Sequence, residues 1–453
     1  MDVYGSNVVA RKCTLDGFAM NVDTPQASIN TIPVEILTEI FGYFLPKGNA
    51  LDSPIPPLVT FVSVCRHWRQ ASLNAPYLWS TIRLYNPRPS RIQMLRQWLE
   101  RSKACPLTLM LEITPFSSGD RAEWKLLVNT MEEALSVLIL HLHRWKSVDL
   151  HLEDFPILVE SPLLMLGAYP GAAPLLEEVC IAESQSFTLD AGQSIWRAIG
   201  TYPGVQRVVW QTNLAGPRSC LSGNVGWNRI TYLNSHFILD DDFLGLLSHS
   251  HALEHLHISR LETSSLPILP RSRFCLPQLR KLYVMSSTTS ATTLFLDHIE
   301  TPLLEYLQLG EWHSGQAWVE MFERSSCRLK ALWVCDKSFS DEASPKWFLS
   351  SALECLEELV AVLWCPADTL LRLLTWQSDV RRLPLLQKMK MSAVAGFTGG
   401  LLETMLASRL QNSSSNLRDL SLTFGPARMS RELRADMCYL KTLRENGFNV
   451  TYD

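Results

Sequence analysis

The sequence lacks several features that would place it in a common class. It has 11 cysteines but no C-x-x-C pair, which favours reduced thiols over a disulfide framework. The N-terminal stretch has no continuous apolar segment of the kind found in signal peptides. The longest apolar runs are also far shorter than a membrane span. We therefore expect an intracellular protein, cytoplasmic, nuclear or both.

Strong charge of either sign is also missing. The formal net charge is −4, so composition gives no reason to expect nucleic acid or an anionic membrane as a partner. Hydrophobic residues make up 47% of the chain and charged residues 19%, which is enough apolar surface for a folded core. The chain is therefore expected to fold into a globular protein and not to be disordered.

Signatures of catalysis are equally scarce. No G-x-S-x-G, P-loop or G-x-G-x-x-G motif is present. The stretch "HALEH" matches the H-x-x-E-H zinc-peptidase pattern, which requires both histidines on one helical face. Here Leu253, Leu256 and Ile258 follow a strand pattern, so His251 and His255 straddle a loop and a strand. We expect no catalytic residue, no metal ligand and no cofactor.

A repeat is the dominant feature of the sequence. Apolar residues at positions i, i+3 and i+5 recur at steps of 22 to 31 residues in ten copies. The third copy, for example, is Trp227-Ile230-Tyr232. The last two positions of each copy share one face of a short strand. Segments with helical spacing lie between successive strands. The first positions of the ten copies are Leu176, Val205, Trp227, Leu253, Leu279, Leu304, Leu329, Leu356, Leu386 and Leu417.

This pattern resembles the leucine-rich-repeat family in its irregular, long-repeat form, over roughly residues 83 to 425. Most copies lack the asparagine or cysteine that normally follows the strand in this family. The resemblance implies a curved solenoid whose concave face binds a protein substrate. Basic and aromatic residues between the buried strand positions suggest an acidic or phosphorylated segment as its ligand, although an ordinary solvated face is the alternative. The tentative substrate-binding residues are Arg207, Arg229, His255, His257, Lys281, Tyr283, Tyr306, Trp333, Lys388 and Lys390.

A second pattern precedes the repeats. In "TIPVEILTEIFGYFLP" a proline suits the first turn of a helix, and apolar residues follow at helical spacing. A second helical stretch leads into "CRHWRQASLNAPYLW", where Asn74-Ala75-Pro76 begins a short third turn. A unit of three short helices, about 50 residues in all, lies near the lower size limit for a domain that is stable on its own. They carry more large apolar side chains than they can bury alone, which favours an external partner.

These residues resemble an F-box, which reads approximately L-P-x-E-I-L-x-x-I-F, then V-C-x-x-W, then P-x-L-W. The chain departs from that pattern at Ile32, where leucine is usual, and in a longer loop from Lys47 to Pro57. The resemblance implies docking on the Skp-type adaptor and, through it, on cullin and RING subunits. It also implies a non-catalytic subunit, because ubiquitin transfer belongs to the partners. The implied adaptor contacts are Ile32, Pro33, Ile36, Leu37, Ile40, Phe41, Val64, Cys65, Trp68, Pro76, Leu78 and Trp79.

Together the two resemblances predict an α/β protein, in which an N-terminal three-helix F-box precedes a curved leucine-rich-repeat solenoid of parallel strands and helices. The predicted divisions are a flexible arm at 1–28, the F-box at 29–82, the solenoid at 83–425 and a helix–strand cap at 426–453. The predicted function is substrate recognition in an SCF-type ubiquitin ligase.

Two alternatives remain open: an adaptor-bound protein without a degradative role, and a plain leucine-rich scaffold. In the scaffold alternative the N-terminal apolar residues only attach the helices to the solenoid. Trp79, Ile82 and Leu84 are the residues best placed to do so.

Overall fold

The structure is a computed structural model of the chain. It describes residues 32–44, 49–50, 57–114, 121–152, 162–168, 171–182, 189–211, 226–263, 273–286, 288–312, 316–336, 351–364, 367–377, 381–393, 396–411, 415–424 and 434–452. The predicted N-terminal arm lies outside these residues. Within them, no helix is long and apolar enough to cross a membrane.

The described part of the chain alternates helices and strands. The helices are α1 Val34–Phe44, α2 Pro57–Val64, α3 Arg66–Asn74, α4 Pro89–Arg101, α5 Arg121–Ile139, α6 Met165–Ala168, α7 Leu189–Thr201, α8 Asp241–Ser248, α9 Thr289–His298, α10 Gln316–Ser325, α11 Asp368–Leu374, α12 Leu401–Leu410 and α13 Arg434–Glu445. The strands are β1 Asn49–Ala50, β2 Thr81–Tyr85, β3 Leu107–Ile113, β4 Trp145–Leu152, β5 Glu178–Ala182, β6 Arg207–Gln211, β7 Tyr232–Leu239, β8 His255–Thr263, β9 Phe274–Cys275, β10 Lys281–Ser286, β11 Ile299–Glu300, β12 Tyr306–Trp312, β13 Ala331–Asp336, β14 Glu358–Leu363, β15 Lys388–Ala393, β16 Asp419–Phe424 and β17 Asn449–Tyr452.

One large parallel sheet organises the molecule. Among the described residues it contains fifteen strands in chain order, and only β9 and β11 lie outside it as a separate parallel pair. Parallel neighbours require a crossover between strands, and helices or turns supply it here. The predicted mixed α/β class, with parallel strands and N-terminal helices, is confirmed.

Strand alternation places the core on one face of this sheet. In β3 buried and partly exposed residues alternate over the whole strand. The buried positions are in register from strand to strand, so that Leu282 pairs with Leu307 and Leu307 with Leu332. The helices cover these residues, while the intervening residues form the sheet's exposed face. Each strand buries its apolar side only because its neighbours and helices complete the layer.

The N-terminal helices pack around a small aromatic cluster. Phe41 of α1 stacks on Phe61 of α2 at 4.6 Å between ring centroids, and it lies 4.9 Å from Trp68 of α3. Cys65 separates α2 from α3 by adopting an extended backbone conformation. It caps α3 through its Sγ, which accepts the N–H of Trp68 at 3.5 Å. These contacts fix three helices into one unit.

The register of one repeat differs from its sequence prediction. The copy predicted as Trp227-Ile230-Tyr232 would place Arg229 on the exposed strand face. Tyr232 instead begins β7 and pairs with Arg207 and His255, so the buried strand positions are Leu233 and Ser235. The prediction failed because serine occupies a core position, and the upstream tryptophan completes a false apolar triplet.

The boundary between helices and sheet also differs from the prediction. Strand β2 spans residues on both sides of the predicted division at 82/83. Strand β1 lies within the loop from Lys47 to Pro57 and pairs in parallel with β2. The sheet therefore begins inside the N-terminal unit.

At the other end, α13 ends before Gly447, whose φ is +85°, and β17 then pairs with β16. The predicted final helix and strand are present.

Candidate functional site

Helix α1 carries apolar side chains on two adjacent sides. One side holds Leu37 and Phe41, which are each only 1% exposed and face α2 and α3. The other side carries Pro33, just before the helix, then Ile36, Ile40 and Tyr43, at spacings that keep them on one side. We call these four residues the outer stripe. An amphipathic helix in a monomer usually has one apolar stripe, so the second is available for a partner.

Exposure of the outer stripe is substantial. Ile36 is 51% exposed and Tyr43 89% exposed, while Ile40 is half-buried. Val64 at the end of α2 is 54% exposed. Tyrosine and other large side chains of this kind are typical anchors of protein interfaces. The exposed apolar residues of this unit that sequence analysis missed are Val34, Tyr43, Leu73 and Tyr77.

Four of the predicted adaptor contacts need correction. Leu37, Phe41, Leu78 and Trp79 are enclosed by the chain itself. A side chain that its own fold covers cannot contact a partner without local unfolding, so we reassign these four to the core. The sequence pattern could not separate Leu37 and Phe41 from Ile36, because all three lie in one apolar helix. It also could not show that Leu78 and Trp79, in the 3₁₀ turn that follows α3, are covered by the chain.

The other predicted adaptor residues lie at or near the surface. Pro33, Ile36 and Val64 are exposed, whereas Ile32, Ile40, Cys65, Trp68 and Pro76 are half-buried. Ile32 packs against the core, and its carbonyl oxygen lies 3.0 Å from Nε2 of His67. Trp68 belongs mainly to the aromatic cluster with Phe41. The exposed members therefore concentrate on the outer stripe and the end of α2.

Trp79 connects the helical unit to the sheet. Its indole Nε1 donates a hydrogen bond to the carbonyl of Ser72 at 2.8 Å, and its ring meets Trp98 of α4 edge to face at 5.3 Å. The guanidinium of Arg101 lies 4.4 Å from the centre of the Trp79 ring. Ile82 and Leu84 are buried beside it in β2. The alternative that these three residues attach the helices to the sheet is thus correct for them, but not for the outer stripe.

A row of aromatic side chains crosses the exposed face of the sheet. His257 lies 5.1 Å from Tyr283, and Tyr283 lies 4.8 Å from Tyr306, between ring centroids. Tyr232 lies 5.9 Å from His255. We call these five residues the aromatic ladder. The members come from strands β7, β8, β10 and β12. Tyr232 pairs in register with His255, and His257 pairs with Tyr283. Tyr306 pairs with Lys281, and its ring reaches Tyr283 diagonally.

Electrostatics distinguish the ladder from its surroundings. Burial lowers the pKa of both His255 and His257, so these histidines favour the neutral form. Burial raises the pKa of Tyr306 to about 12. Positive charge at the ladder therefore comes from Lys281 and from Arg207, whose guanidinium lies 3.6 Å from the centre of the Tyr232 ring. The predicted basic surface is more aromatic and less charged than its residue types suggested.

The remaining predicted substrate residues lie at different places. Trp333, Lys388 and Lys390 occupy the exposed face on β13 and β15, farther along the sheet. Arg229 is a correction: it lies in a 3₁₀ turn before β7, and its guanidinium reaches the carbonyl of Tyr202 at 3.4 Å. Tyr232 takes the face position that was assigned to Arg229. The histidines of the "HALEH" stretch also separate, with His251 in a turn and His255 in β8.

Comparison with known families bears on the helical unit. A family model described as F-box-like matches residues 29–85. No curated protein matches the chain. The match covers α1 to β2 and includes the outer stripe, so it supports an F-box protein. An F-box-like domain implies binding to a Skp-type adaptor in general.

Proposed function

We propose that this chain is the substrate-recognition subunit of an SCF-type E3 ubiquitin ligase. The observation that carries the proposal is the outer stripe, because exposed apolar residues at helical spacing lie inside the F-box-like match. In this proposal the outer stripe and Val64 dock on the Skp-type adaptor, and cullin and RING subunits follow through it. The chain itself is non-catalytic and works inside the cell, in the cytoplasm, the nucleus or both.

We further propose that the large sheet is a curved leucine-rich-repeat solenoid. Its support is the chain-order sequence of parallel strands, each with buried residues two apart. Such a unit cannot bury its apolar side alone, and stacking creates a continuous core. The exposed face would then be the concave face of the solenoid.

The proposed substrate site is the aromatic ladder together with Arg207 and Lys281. Aromatic residues and arginine are the types most enriched at binding hot spots. Arg207 lies at one end of the ladder beside Tyr232, and Lys281 lies within it, between His255 and Tyr306. Both cations can form charge-assisted hydrogen bonds with carboxylate or phosphate groups. We therefore propose an acidic or phosphorylated protein segment as the ligand, which lies across the strands.

Co-purification with a Skp-type adaptor tests the first proposal. The full chain should form a complex with the adaptor, and the double substitution Ile36→Asp with Tyr43→Asp should abolish it. Leu140→Asp is the matched control, because Leu140 is 75% exposed but lies outside the F-box-like match. Thermal unfolding of all three proteins checks the fold. Absence of a complex with the well-folded full chain would leave the plain repeat scaffold as the function.

Ubiquitination of captured proteins tests the proposed substrate recognition by the aromatic ladder. Partners cross-linked to the chain in cells should be ubiquitinated in a cullin-dependent manner. Arg207→Glu with Lys281→Glu and Tyr283→Ala should lose those partners but keep the adaptor. The control exchanges Arg96 and Arg372 for glutamate, since both are exposed on helices. Adaptor binding with no cullin-dependent turnover of any captured partner would favour an adaptor-bound protein without a degradative role.

A further inference from the structure

Three side chains of different chemistry meet on the exposed face of the sheet, away from the aromatic ladder. Asp149 and His151 are two residues apart in β4, so they share one face of that strand. Cys180 of β5 pairs in register with Asp149. One potential ligand atom from each residue lies within 4.8 Å of the others. Parallel pairing thus gathers a carboxylate, an imidazole and a thiol from positions about 30 residues apart in the sequence.

The three side chains contact one another directly. Nε2 of His151 lies 2.9 Å from Oδ1 of Asp149. The thiol of Cys180 is also within hydrogen-bonding contact of the Asp149 carboxylate. A cation bound by all three ligand atoms would replace these contacts between the side chains.

We propose that Asp149, His151 and Cys180 bind one Zn²⁺ ion on the exposed face of the sheet. Zinc accepts carboxylate oxygen, imidazole nitrogen and thiolate sulfur together, whereas Mg²⁺ and Ca²⁺ prefer oxygen ligands alone. Tetrahedral zinc needs its ligand atoms about 3–4 Å apart. The three ligand atoms lie within 4.8 Å of one another, so zinc binding would require the His151 and Cys180 side chains to move closer to Asp149.

Charges of both signs lie near this position, because Arg83 is close enough to act on Asp149 and Arg207 on Cys180. The register places Glu112 beside His151 and Glu178 beside Ser147. Ser147 donates a hydrogen bond to Glu178 at 3.1 Å, and the guanidinium of Arg83 lies 3.5 Å from Glu112. Both carboxylates are thus engaged, but they still contribute negative charge near the site. Three protein ligands leave one tetrahedral position open to water or to a group of a bound partner.

This site is independent of the ligase proposal, because neither the outer stripe nor the aromatic ladder contributes a ligand. It would add a metal-dependent position to the same sheet face that we propose for substrate binding. The zinc site can therefore be present or absent whether or not the chain binds an adaptor.

The test is zinc binding by the purified full chain in competition with a chromophoric chelator. We expect one Zn²⁺ per chain, and the separate substitutions Cys180→Ser, His151→Gln and Asp149→Asn should each weaken binding by at least about tenfold. Cys335→Ser and His257→Gln are matched controls, since these residues lie on the same exposed face of other strands. They should leave zinc affinity unchanged. Circular dichroism of each variant confirms that the fold is retained.

Cobalt(II) supplies a readout that identifies the ligand. Co²⁺ bound by a thiolate gives a sulfur-to-metal charge-transfer band, which should appear in the full chain and in Cys335→Ser but not in Cys180→Ser. The proposal is overturned if the full chain binds no stoichiometric zinc. It is equally overturned if the three substitutions leave affinity and the cobalt band intact, because the metal would then lie elsewhere.

Discussion

Trp79 and Trp98 meet edge to face at 5.3 Å, and this contact joins the F-box-like domain to the sheet. Both indoles are fully buried, and Trp79 also donates its Nε1–H to the carbonyl of Ser72. A partner bound at the outer stripe is therefore held in a fixed relation to the first strands of the sheet. Packing of this kind resists deformation, because a dense core admits few alternative arrangements.

Replacement of Trp79 should weaken the junction between the F-box-like domain and the sheet and so destabilise the protein. We expect Trp79→Ala to lower the free energy of unfolding by about 3–5 kcal/mol, through lost contacts and a residual cavity. Trp79→Phe keeps most of the ring but loses the hydrogen bond to Ser72, and the expected loss is smaller. Urea unfolding measures both. Equal stability of wild type and Trp79→Ala would contradict the assigned packing role.

Adjacent residues of α1 should respond in opposite ways. Ile36→Ala removes an exposed side chain, so we expect little change in stability but adaptor affinity weakened by about tenfold, or about 1.4 kcal/mol. Leu37→Ala creates a cavity and should lower stability by about 2–5 kcal/mol. Titration calorimetry with the adaptor and thermal unfolding separate the two effects. Intact affinity in Ile36→Ala would remove that residue from the proposed interface.

Asp436 of α13 should stabilise the C-terminal end of the sheet. Its carboxylate accepts the N–H groups of Gly400 at 2.7 Å and of Glu403 at 2.8 Å, at the start of α12. The Asp436→Ala substitution leaves both donors without this acceptor, and we expect a loss of about 1–3 kcal/mol. Asp436→Asn keeps one acceptor oxygen and should lose less. Hydrogen exchange of the Gly400 and Glu403 amides reports the effect directly.

His236 of β7 should make stability depend on pH. Burial lowers its pKa below 6.5 and outweighs Glu262, whose Oε1 lies 3.7 Å from the ring, while Arg260 lowers the pKa further. In the unfolded chain the imidazole of His236 takes up a proton near pH 6.5, whereas in the folded chain it stays neutral at that pH. This contribution to stability is therefore present above that pH and is lost as the pH falls through the folded pKa.

The substitution His236→Asn tests that relation. It should reduce the difference in unfolding free energy between about pH 7.5 and about pH 5.5, because the titrating group is gone. His251→Asn is a matched control, since His251 is exposed. A pH dependence that is unchanged in His236→Asn would show that other groups produce it.

Helical periodicity located the N-terminal unit but could not orient it. Ile36 and Leu37 are neighbours of similar hydrophobicity in one apolar stretch, and the packing of α2 and α3 decides which of them is buried. For the same reason Tyr43 escaped the sequence analysis: it follows the apolar stripe of α1 without matching the F-box pattern. Exposure depends on contacts between helices, which no single stretch of sequence contains.

The sequence by itself determined the alternation of one-sided strands with helices, because apolar residues two apart recur with helical spacing between them. Only the tertiary structure decided the register of β7, where Ser235 fills a core position that apolar residues occupy elsewhere. It also brought Asp149 and His151 beside Cys180, since adjacency across a sheet depends on pairing and not on distance along the chain. Periodicity is a local property of the chain, whereas register and proximity arise from the packing of the whole sheet.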